Sequence, residues 1–350
     1  MYVLVVTSIM LGRPIGSGGD LPRIRATAST APPLASTHMR VVITGGAGFI
    51  GGNLCRALLA AGCEVSVIDD LSTGNRANID GLIDTHDLRF VEGTILSDEA
   101  LDAAFAGADA VVHLAALGSV PRSVADPLAT HHANATGALM VLEASRRHGG
   151  LHTIVASSSS VYGSNPILPK HEELATRPLS PYAGSKLVTE GYTLAWGSSY
   201  GMPTLAFRFF NVFGPLQPAG HAYAAVIPAF VHAALTGTPL TVHGDGTQSR
   251  DFTYVGSVVG AITDAVLRRA SSPGPVNLAF GTRVTLLDVI ASLEEIVGHA
   301  IERTHTDNRA GDVPHSQADT TRLRELFPSV EAVAFSDGLK ATVDWMNATL

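Results

Sequence analysis

The sequence has few cysteines and few charged residues, and it lacks a long apolar run. Its two cysteines, Cys55 and Cys63, flank a predicted helix. We therefore expect buried apolar side chains rather than a disulfide or a metal site, and a reducing, cytoplasmic compartment. No stretch approaches the roughly 18 apolar residues of a membrane-spanning helix, so we expect no contact with a membrane. A net charge of −8 argues against a general nucleic-acid or anionic-membrane binder, although a local basic pocket stays open.

The composition of the chain changes near residue 39. Residues 1–38 begin with an apolar run and continue with Ser, Thr, Pro, Gly and Ala. The run lacks the basic start of a signal peptide, so we favour a disordered leader or a start assigned too early, with Met39 the true beginning. With 350 residues, 46% of them hydrophobic, the chain has enough apolar surface for a large core and two lobes.

A glycine-rich turn organises the chain that follows. Residues 41–43 are apolar and predict a buried parallel strand, and a helical pattern runs on from residue 53. Between them, Gly45 permits a tight turn, Gly48 permits a pyrophosphate to approach the backbone, and Gly51 permits the helix to pack on the strand. Free N–H groups at the start of the helix then face the phosphates. The motif predicts an α/β fold with a doubly wound parallel sheet (a Rossmann fold) and a dinucleotide cofactor.

The ends of the next strands indicate which dinucleotide binds. Asp69 follows an apolar strand and can accept both adenosine ribose hydroxyls while repelling a 2′-phosphate, so we predict NAD rather than NADP. Small residues after the fourth strand permit close approach of the cofactor, and we interpret His113 there as a buried structural histidine. The predicted cofactor-binding residues are Gly45, Gly48, Phe49, Ile50, Gly51, Asp69, Asp70, Leu71, Ser72, Thr73, Gly74, Thr94, Ile95, Leu114, Ala115, Ala116, Tyr182 and Lys186, and the family resemblance described below adds Asn134.

Hydroxyl groups and a Tyr–Lys pair indicate acid–base chemistry. Residues 157–160 are four serines at the end of the fifth strand, where open α/β sheets bind ligands. Tyr182 and Lys186 are four residues apart and share one face of a predicted helix. A tyrosine pKa of about 10 makes a poor base at pH 7, but a lysine cation and a positive nicotinamide ring both favour the phenolate. We predict Tyr182 as general base, Lys186 as its support and as ligand of the nicotinamide ribose, and Ser158 as hydrogen-bond partner of the substrate hydroxyl.

Together these motifs resemble the extended short-chain dehydrogenase/reductase family, and within it the UDP-N-acetylglucosamine/UDP-glucose 4-epimerase group. The likeness covers the chain from Met39 onward, and residues 118–123, 178–183 and 223–228 carry it besides the motifs above. It implies a nucleotide-binding domain over 39–212 and a smaller α/β UDP-sugar lobe over 213–350, partly interleaved. It also implies inversion at sugar C4. Tyr182 removes the 4-hydroxyl proton, C4 passes a hydride to tightly bound NAD, the 4-keto sugar turns, and the hydride returns to the other face.

The remaining site residues come from that resemblance and from side-chain chemistry. Asn211 and Arg250 suit a diphosphate, although Arg250 paired with Asp251 on the surface is an open alternative. The resemblance implies that Arg309 binds phosphate, that Asp312 binds the uridine ribose, and that a small Ser316 leaves room for an N-acetyl group. Thr94 stands where the family has an Asp that holds adenine. The predicted substrate-binding residues are Ser119, Ser158, Ser159, Ser160, Asn211, Ala225, Val226, Arg250, Arg309, Asp312 and Ser316.

Several alternatives remain open. Nucleotide-sugar dehydratases carry an acidic pair directly after the hydroxyl residue that matches Ser158, and Ser159 and Ser160 stand there instead. A UDP-glucuronate 4-epimerase or a decarboxylase is harder to separate, because Arg122 and nearby hydroxyls suit a carboxylate. An NAD-binding regulatory protein is the alternative outside enzymes. The resemblance further implies a homodimer formed by the helices near Asn134 and Tyr182.

Overall fold

The sheet begins where the sequence predicts it. The computed structural model describes residues 39–83, 88–219, 225–307 and 314–350, so the predicted leader lies outside the described residues. The apolar run forms strand β1 (Arg40–Thr44), and helix α1 (Phe49–Ala60) begins directly after Gly48. Strand β2 (Glu64–Asp69) pairs with β1 in parallel and ends at the predicted acid. The strand–turn–helix unit is therefore present.

Among the described residues, seven parallel strands form the central sheet, in the order β3-β2-β1-β4-β5-β6-β11. The order reverses between β1 and β4, and such a switch point opens a ligand crevice at the carboxyl ends of the strands. The doubly wound sheet is thus confirmed. The other strands are β3 (Leu88–Glu92), β4 (Ala110–His113), β5 (His152–Ser158), β6 (Thr204–Phe209), β7 (Asn211–Phe213), β8 (Leu240–His243), β9 (Ser249–Arg250), β10 (Phe252–Tyr254), β11 (Val276–Leu278), β12 (Val284–Thr285) and β13 (Arg303–Thr306).

Helices cover both faces of the sheet. Successive β1 residues point to opposite faces, so Ile43 joins an apolar core with α1, whereas Val42 joins a separate core with Phe105 and Val141. The other helices are α2 (Asp80–Ile83), α3 (Asp98–Phe105), α4 (Val120–Ala125), α5 (Pro127–His131), α6 (Gly137–Arg147), α7 (Pro181–Tyr200), α8 (Val226–Thr236), α9 (Val255–Leu267), α10 (Leu286–Val297), α11 (Thr321–Leu326) and α12 (Phe335–Thr349).

A further apolar core lies among later residues. Phe213, Phe230, Ile290 and Leu339 belong to it, and helices α8, α10 and α12 supply most of its members. Helix α9 and strand β11 instead contribute to the core around Ile43. Residues 38–350 form one compact unit, and the division at 212/213 stays a prediction. Within the described residues, no helix has the length and apolarity that a membrane crossing requires.

The chain is helical without a break from α5 to α6, but the helix is not a regular α-helix throughout. A π-helical turn, His132–Thr136, separates α5 from α6. A π turn inserts one extra residue into the helical ladder and turns the following side chains about the axis. Asn134 lies within this turn, and its buried side chain points at two other elements described below.

Candidate active site

A cavity of about 710 Å³ opens at the carboxyl ends of the sheet strands, at the switch point. It extends from the glycine-rich turn after β1 to the start of α7, so the predicted nucleotide and catalytic elements share one cavity. The predicted residues that line it are Gly45, Gly48, Phe49, Ile50, Gly51, Asp69, Asp70, Ser72, Thr73, Thr94, Ile95, Leu114, Ala115, Ala116, Ser119, Ser158, Tyr182 and Lys186. Of the predicted cofactor set, Leu71, Gly74 and Asn134 do not line it.

The glycine-rich turn leaves no space for side chains. Gly45 has a φ of +74°, and a Cβ there would lie 2.7 Å from the Ala115 nitrogen. A Cβ on Gly51 would lie 2.2 Å from the Gly45 carbonyl oxygen. Gly48 is the N-cap of α1 and has no side chain to occupy the first free N–H groups of the helix. This cradle of bare backbone at a positive helix end fits a pyrophosphate.

Asp69 ties the turn to the end of β2. Its carboxylate accepts hydrogen bonds from the Ala47 nitrogen at 3.0 Å and from the Leu71 nitrogen at 2.9 Å. Burial raises the pKa of Asp69, although both backbone hydrogen bonds oppose the rise. Gly74 packs against this carboxylate, because a Cβ there would lie 2.8 Å from an Asp69 oxygen. Asp69 thus presents a carboxylate at the position predicted for the adenosine ribose, and the cavity residues fit NAD.

Tyr182 lies at the other end of the cavity, in the first turn of α7. Ser158 receives the Ser160 N–H at 3.1 Å and the Ser160 hydroxyl at 2.9 Å, so its own proton is free to be donated. The hydrogen bond from Ser158 lowers the pKa of Tyr182, but burial is the larger effect and the net direction is upward. The pKa of Tyr182 is therefore raised, whereas the sequence analysis expected the Lys186 cation to lower it. Ser160 acts behind Ser158, because neither Ser159 nor Ser160 lines the cavity.

Lys186 lies one helical turn further along α7. Its Nζ donates to the Ala156 carbonyl at 2.8 Å, which anchors the side chain to the end of β5. Burial lowers the pKa of Lys186 to about 8, so the cation predominates below that pH. Burial of the phenol stays the largest effect on the pKa of Tyr182, and the hydrogen bond from Ser158 is the one that opposes it.

His113 is a neutral structural residue, as predicted. Its Nδ1 lies 2.7 Å from the Thr44 hydroxyl, which also accepts the Ala115 N–H at 3.2 Å. Burial, and secondarily the charge of Lys186, lowers the pKa of His113 to about 3.

The Asn134 side chain joins two parts of the site by hydrogen bonds. Its amide oxygen accepts the Leu117 N–H at 2.8 Å, and its nitrogen donates to Ser185 at 3.0 Å. Ser185 lies between Tyr182 and Lys186 on α7. The side chain therefore links the loop after β4 to the catalytic helix, and its amide groups are engaged within the protein.

A second, smaller cavity of about 300 Å³ adjoins the first. Asn211, Ala225 and Val226, all predicted substrate-binding residues, line it. Gln217 lines both cavities, and its amide oxygen is buried without a hydrogen-bond partner among the described residues. An orphaned acceptor of this kind suits a ligand hydroxyl or amide. Sequence reasoning missed Gln217, and it also missed Ser157, which lines the larger cavity.

Arg250 and Ser316 are not among the residues that line either cavity. Arg250 donates to the Ser249 carbonyl at 2.9 Å, and the Ser316 nitrogen donates to the same oxygen at 3.0 Å, so the two residues share one anchor. The alternative of a surface pair between Arg250 and Asp251 is wrong, because the Asp251 side chain is buried and accepts other donors. Arg309 and Asp312 lie outside the described residues.

Substituting Gly51 by alanine tests the cradle. The added methyl group would overlap the Gly45 carbonyl, so α1 has to move away from the turn. We expect NAD affinity to fall at least about tenfold and stability to fall by about 1–3 kcal/mol. Gly260→Ala is the matched control, since a Cβ there meets nothing within 4 Å in a helix. NAD titration followed by fluorescence gives the comparison; equal affinities in both variants would contradict the cradle.

Known proteins resemble this chain over most of its length. The profile of the NAD dependent epimerase/dehydratase family matches residues 41–279. A UDP-glucose 4-epimerase from Azospirillum brasilense is 34% identical, over 87% of this chain and 91% of the relative. The structure of a UDP-N-acetylglucosamine 4-epimerase from Methanobrevibacter ruminantium M1 superposes with a TM-score of 0.84, at 35% identity over 89% of this chain and 99% of the other. The UDP-glucuronic acid 4-epimerase of Bacillus cereus gives 0.82, at 30% identity over 89% and 100%.

Proposed function

The chain belongs to the NAD-dependent epimerase/dehydratase family, and we propose that it is a UDP-sugar 4-epimerase with Tyr182 as its general base. The observation that carries the proposal is the Ser160–Ser158–Tyr182 hydrogen-bonded chain beside Lys186, in the cavity that the glycine-rich turn also lines. NAD is the family's cofactor, and its predicted site here includes Gly45, Gly48, Gly51 and Asp69.

The side chains of the protein handle the proton, and NAD would supply the hydride chemistry. Tyr182 takes the proton of the sugar 4-hydroxyl and gives it back after inversion, which is general base and then general acid catalysis. Ser158, which Ser160 holds, donates its proton to Tyr182 here and turns that proton to the sugar 4-hydroxyl when the substrate binds. The glycine-rich turn and Asp69 would hold NAD, which would supply the hydride chemistry at C4 and a positive ring that favours the phenolate. Lys186 fixes the end of β5 and supports the nicotinamide ribose.

Substrate identity is the part of the proposal that a direct assay decides. We propose UDP-N-acetylglucosamine/UDP-N-acetylgalactosamine and UDP-glucose/UDP-galactose as the pairs interconverted, because Ser316 is small. Purified protein is incubated with each UDP-sugar and the products are separated by chromatography. We expect both gluco sugars to be converted to mixtures of the 4-epimers. Good conversion of UDP-glucose with none of UDP-N-acetylglucosamine would contradict the argument from Ser316.

A second candidate is 4-epimerisation of UDP-glucuronate. Arg122 lines the larger cavity near Ser119 and offers a bidentate contact for a carboxylate. The similar Bacillus cereus enzyme acts on this kind of substrate. Including UDP-glucuronate in the same assay separates the two candidates, and loss of carbon dioxide in that reaction identifies a decarboxylase. A dehydratase is less well supported, because Ser159 and Ser160 stand where dehydratases carry an acidic pair.

We further propose a homodimer. Val124 and Leu128 are 66% and 70% exposed on α4 and α5, and Val188 and Tyr192 are exposed on α7. Burial of these apolar side chains against a second copy favours association. Light scattering on the purified protein measures the assembly mass.

A further inference from the structure

The last three residues of β5 are each held by helix α7. The Lys186 ammonium donates to the Ala156 carbonyl at 2.8 Å, and the Ser157 hydroxyl donates to Glu190 Oε2 at 2.8 Å. The catalytic serine that follows is bonded to Tyr182. Residues 182, 186 and 190 are spaced four apart, so one face of the helix carries all three contacts. The end of the strand is thus fastened to α7 at three consecutive residues.

Glu190 joins α7 to two strands at once. Ser157 on β5 and Arg208 on β6 are partners in the parallel register, and both side chains reach the Glu190 carboxylate. Arg208 bonds both carboxylate oxygens, at 2.6 and 2.9 Å, so the charge of Glu190 is balanced without the serine. All three side chains are buried. Loss of the Ser157 hydroxyl therefore releases β5 from α7 at this point and leaves the ion pair intact.

The Ser157 hydroxyl is committed to this contact, although the residue lines the larger cavity. A carboxylate only accepts, so the one hydroxyl proton of Ser157 goes to Glu190 and is not available to a ligand. The influence of Ser157 on the site passes instead along the backbone to Ser158. Ser158 is the last residue of β5, and its place relative to Tyr182 depends on how the strand end is held against α7.

We propose that Ser157 is a positioning residue: its bond to Glu190 holds the end of β5 against α7, so that Ser158 stays within hydrogen-bonding distance of Tyr182. The inference rests on the proposed function and adds to it a residue that acts through its neighbour. Burial raises the pKa of Tyr182, and the hydrogen bond from Ser158 opposes that rise. A less well aligned Ser158 therefore leaves the pKa of Tyr182 higher and the phenolate scarcer at neutral pH.

The test compares three variants of the protein loaded with NAD. Ser157→Ala removes the hydroxyl, and Ser157→Cys keeps a side chain of similar size with a weaker donor. Ser145→Ala is the matched control, because this buried serine donates to the Val141 carbonyl at 2.9 Å within α6 and is not among the residues that line either cavity. The kcat and KM values for the best UDP-sugar are measured across pH, and NAD affinity by fluorescence. The pKa of Tyr182 is measured without substrate from the ultraviolet absorbance of tyrosinate, with Tyr182→Phe as the blank.

We expect Ser157→Ala to lower kcat at neutral pH about tenfold and to leave KM and NAD affinity unchanged. Tyr182 must lose its proton to act as the base, so a raised pKa moves the acid limb of the kcat/KM profile to higher pH. The tyrosinate titration should move upward by about one pH unit, the shift that corresponds to a tenfold loss of phenolate. Ser157→Cys should show smaller changes of the same kind, and it carries the test if Ser157→Ala does not fold. Ser145→Ala should match the wild type.

Two results would overturn the positioning role. One is a Tyr182 pKa that stays at the wild-type value in both Ser157 variants. The other is a raised KM with an unchanged kcat, which would make Ser157 a substrate contact. A wild-type protein that converts no UDP-sugar overturns the proposed function instead, and the tyrosinate titration still decides the role of Ser157 because it needs no turnover.

Discussion

Replacement of Tyr182 by phenylalanine is expected to reduce kcat by roughly 10²–10⁴-fold and to leave NAD binding unchanged. The substitution removes one oxygen atom, the only group of this side chain that can take a proton. Ser158 and Lys186 keep their other partners, Ser160 and the Ala156 carbonyl, so the rest of the site stays in place. Initial rates with the best UDP-sugar and a fluorescence titration with NAD measure the two effects separately.

Tyr200→Phe is the matched control, because this tyrosine lies on the same helix with an exposed side chain and outside the proposed dimer face. We expect it to turn over at the wild-type rate. If Tyr182→Phe keeps more than about a tenth of the wild-type kcat, a different group is the base. If it loses NAD as well, the phenol is a binding group and the non-enzymatic reading gains support.

The second large effect concerns stability. Glu190 on α7 and Arg208 on β6 form a buried pair, with Oε1–Nη2 and Oε2–Nε distances of 2.6 and 2.9 Å. Ser157 donates to the same carboxylate at 2.8 Å. Glu190→Gln leaves the guanidinium buried without its counter-charge, and losses of about 3–5 kcal/mol in the free energy of unfolding are typical of such changes. We expect this drop in urea unfolding followed by circular dichroism.

The surface pair Arg40–Glu64 supplies the comparison. Its 2.7 Å contact is as short, but the two side chains are 56% and 40% exposed. We expect Glu64→Gln to change the free energy of unfolding by at most about 1 kcal/mol. Similar losses in both variants would mean that burial does not set the strength of the inner pair.

Local patterns predicted much of this molecule because their causes are local. Apolar residues around Val42 form β1, the turn at Gly45 follows directly, and Asp69 ends β2. Each feature depends on its own short segment, and each is found where the sequence predicts it. The Tyr182–Lys186 spacing needs only a regular helix, which Ser180 begins by accepting the Ala183 N–H at 3.1 Å. The structural comparisons confirm the fold and the NAD cofactor.

Features that depend on contacts between distant segments escaped prediction. Asn134 lies in the π turn at residues 132–136, and its side chain forms hydrogen bonds with Leu117 and Ser185. The spacing of residues in the sequence does not indicate either partner. The Gln217 side chain lies between the two cavities, where its amide nitrogen donates to the Val212 carbonyl of β7 at 3.2 Å. The pKa of Tyr182 moves upward because desolvation depends on the whole enclosure, whereas the sequence indicates only nearby charges.

Phe210, Val212 and Gln217 line both the larger and the smaller cavity. These three side chains form the wall that the two cavities share. A substitution at any of them therefore alters the shape of both cavities at once, so its effects on cofactor and substrate binding are coupled.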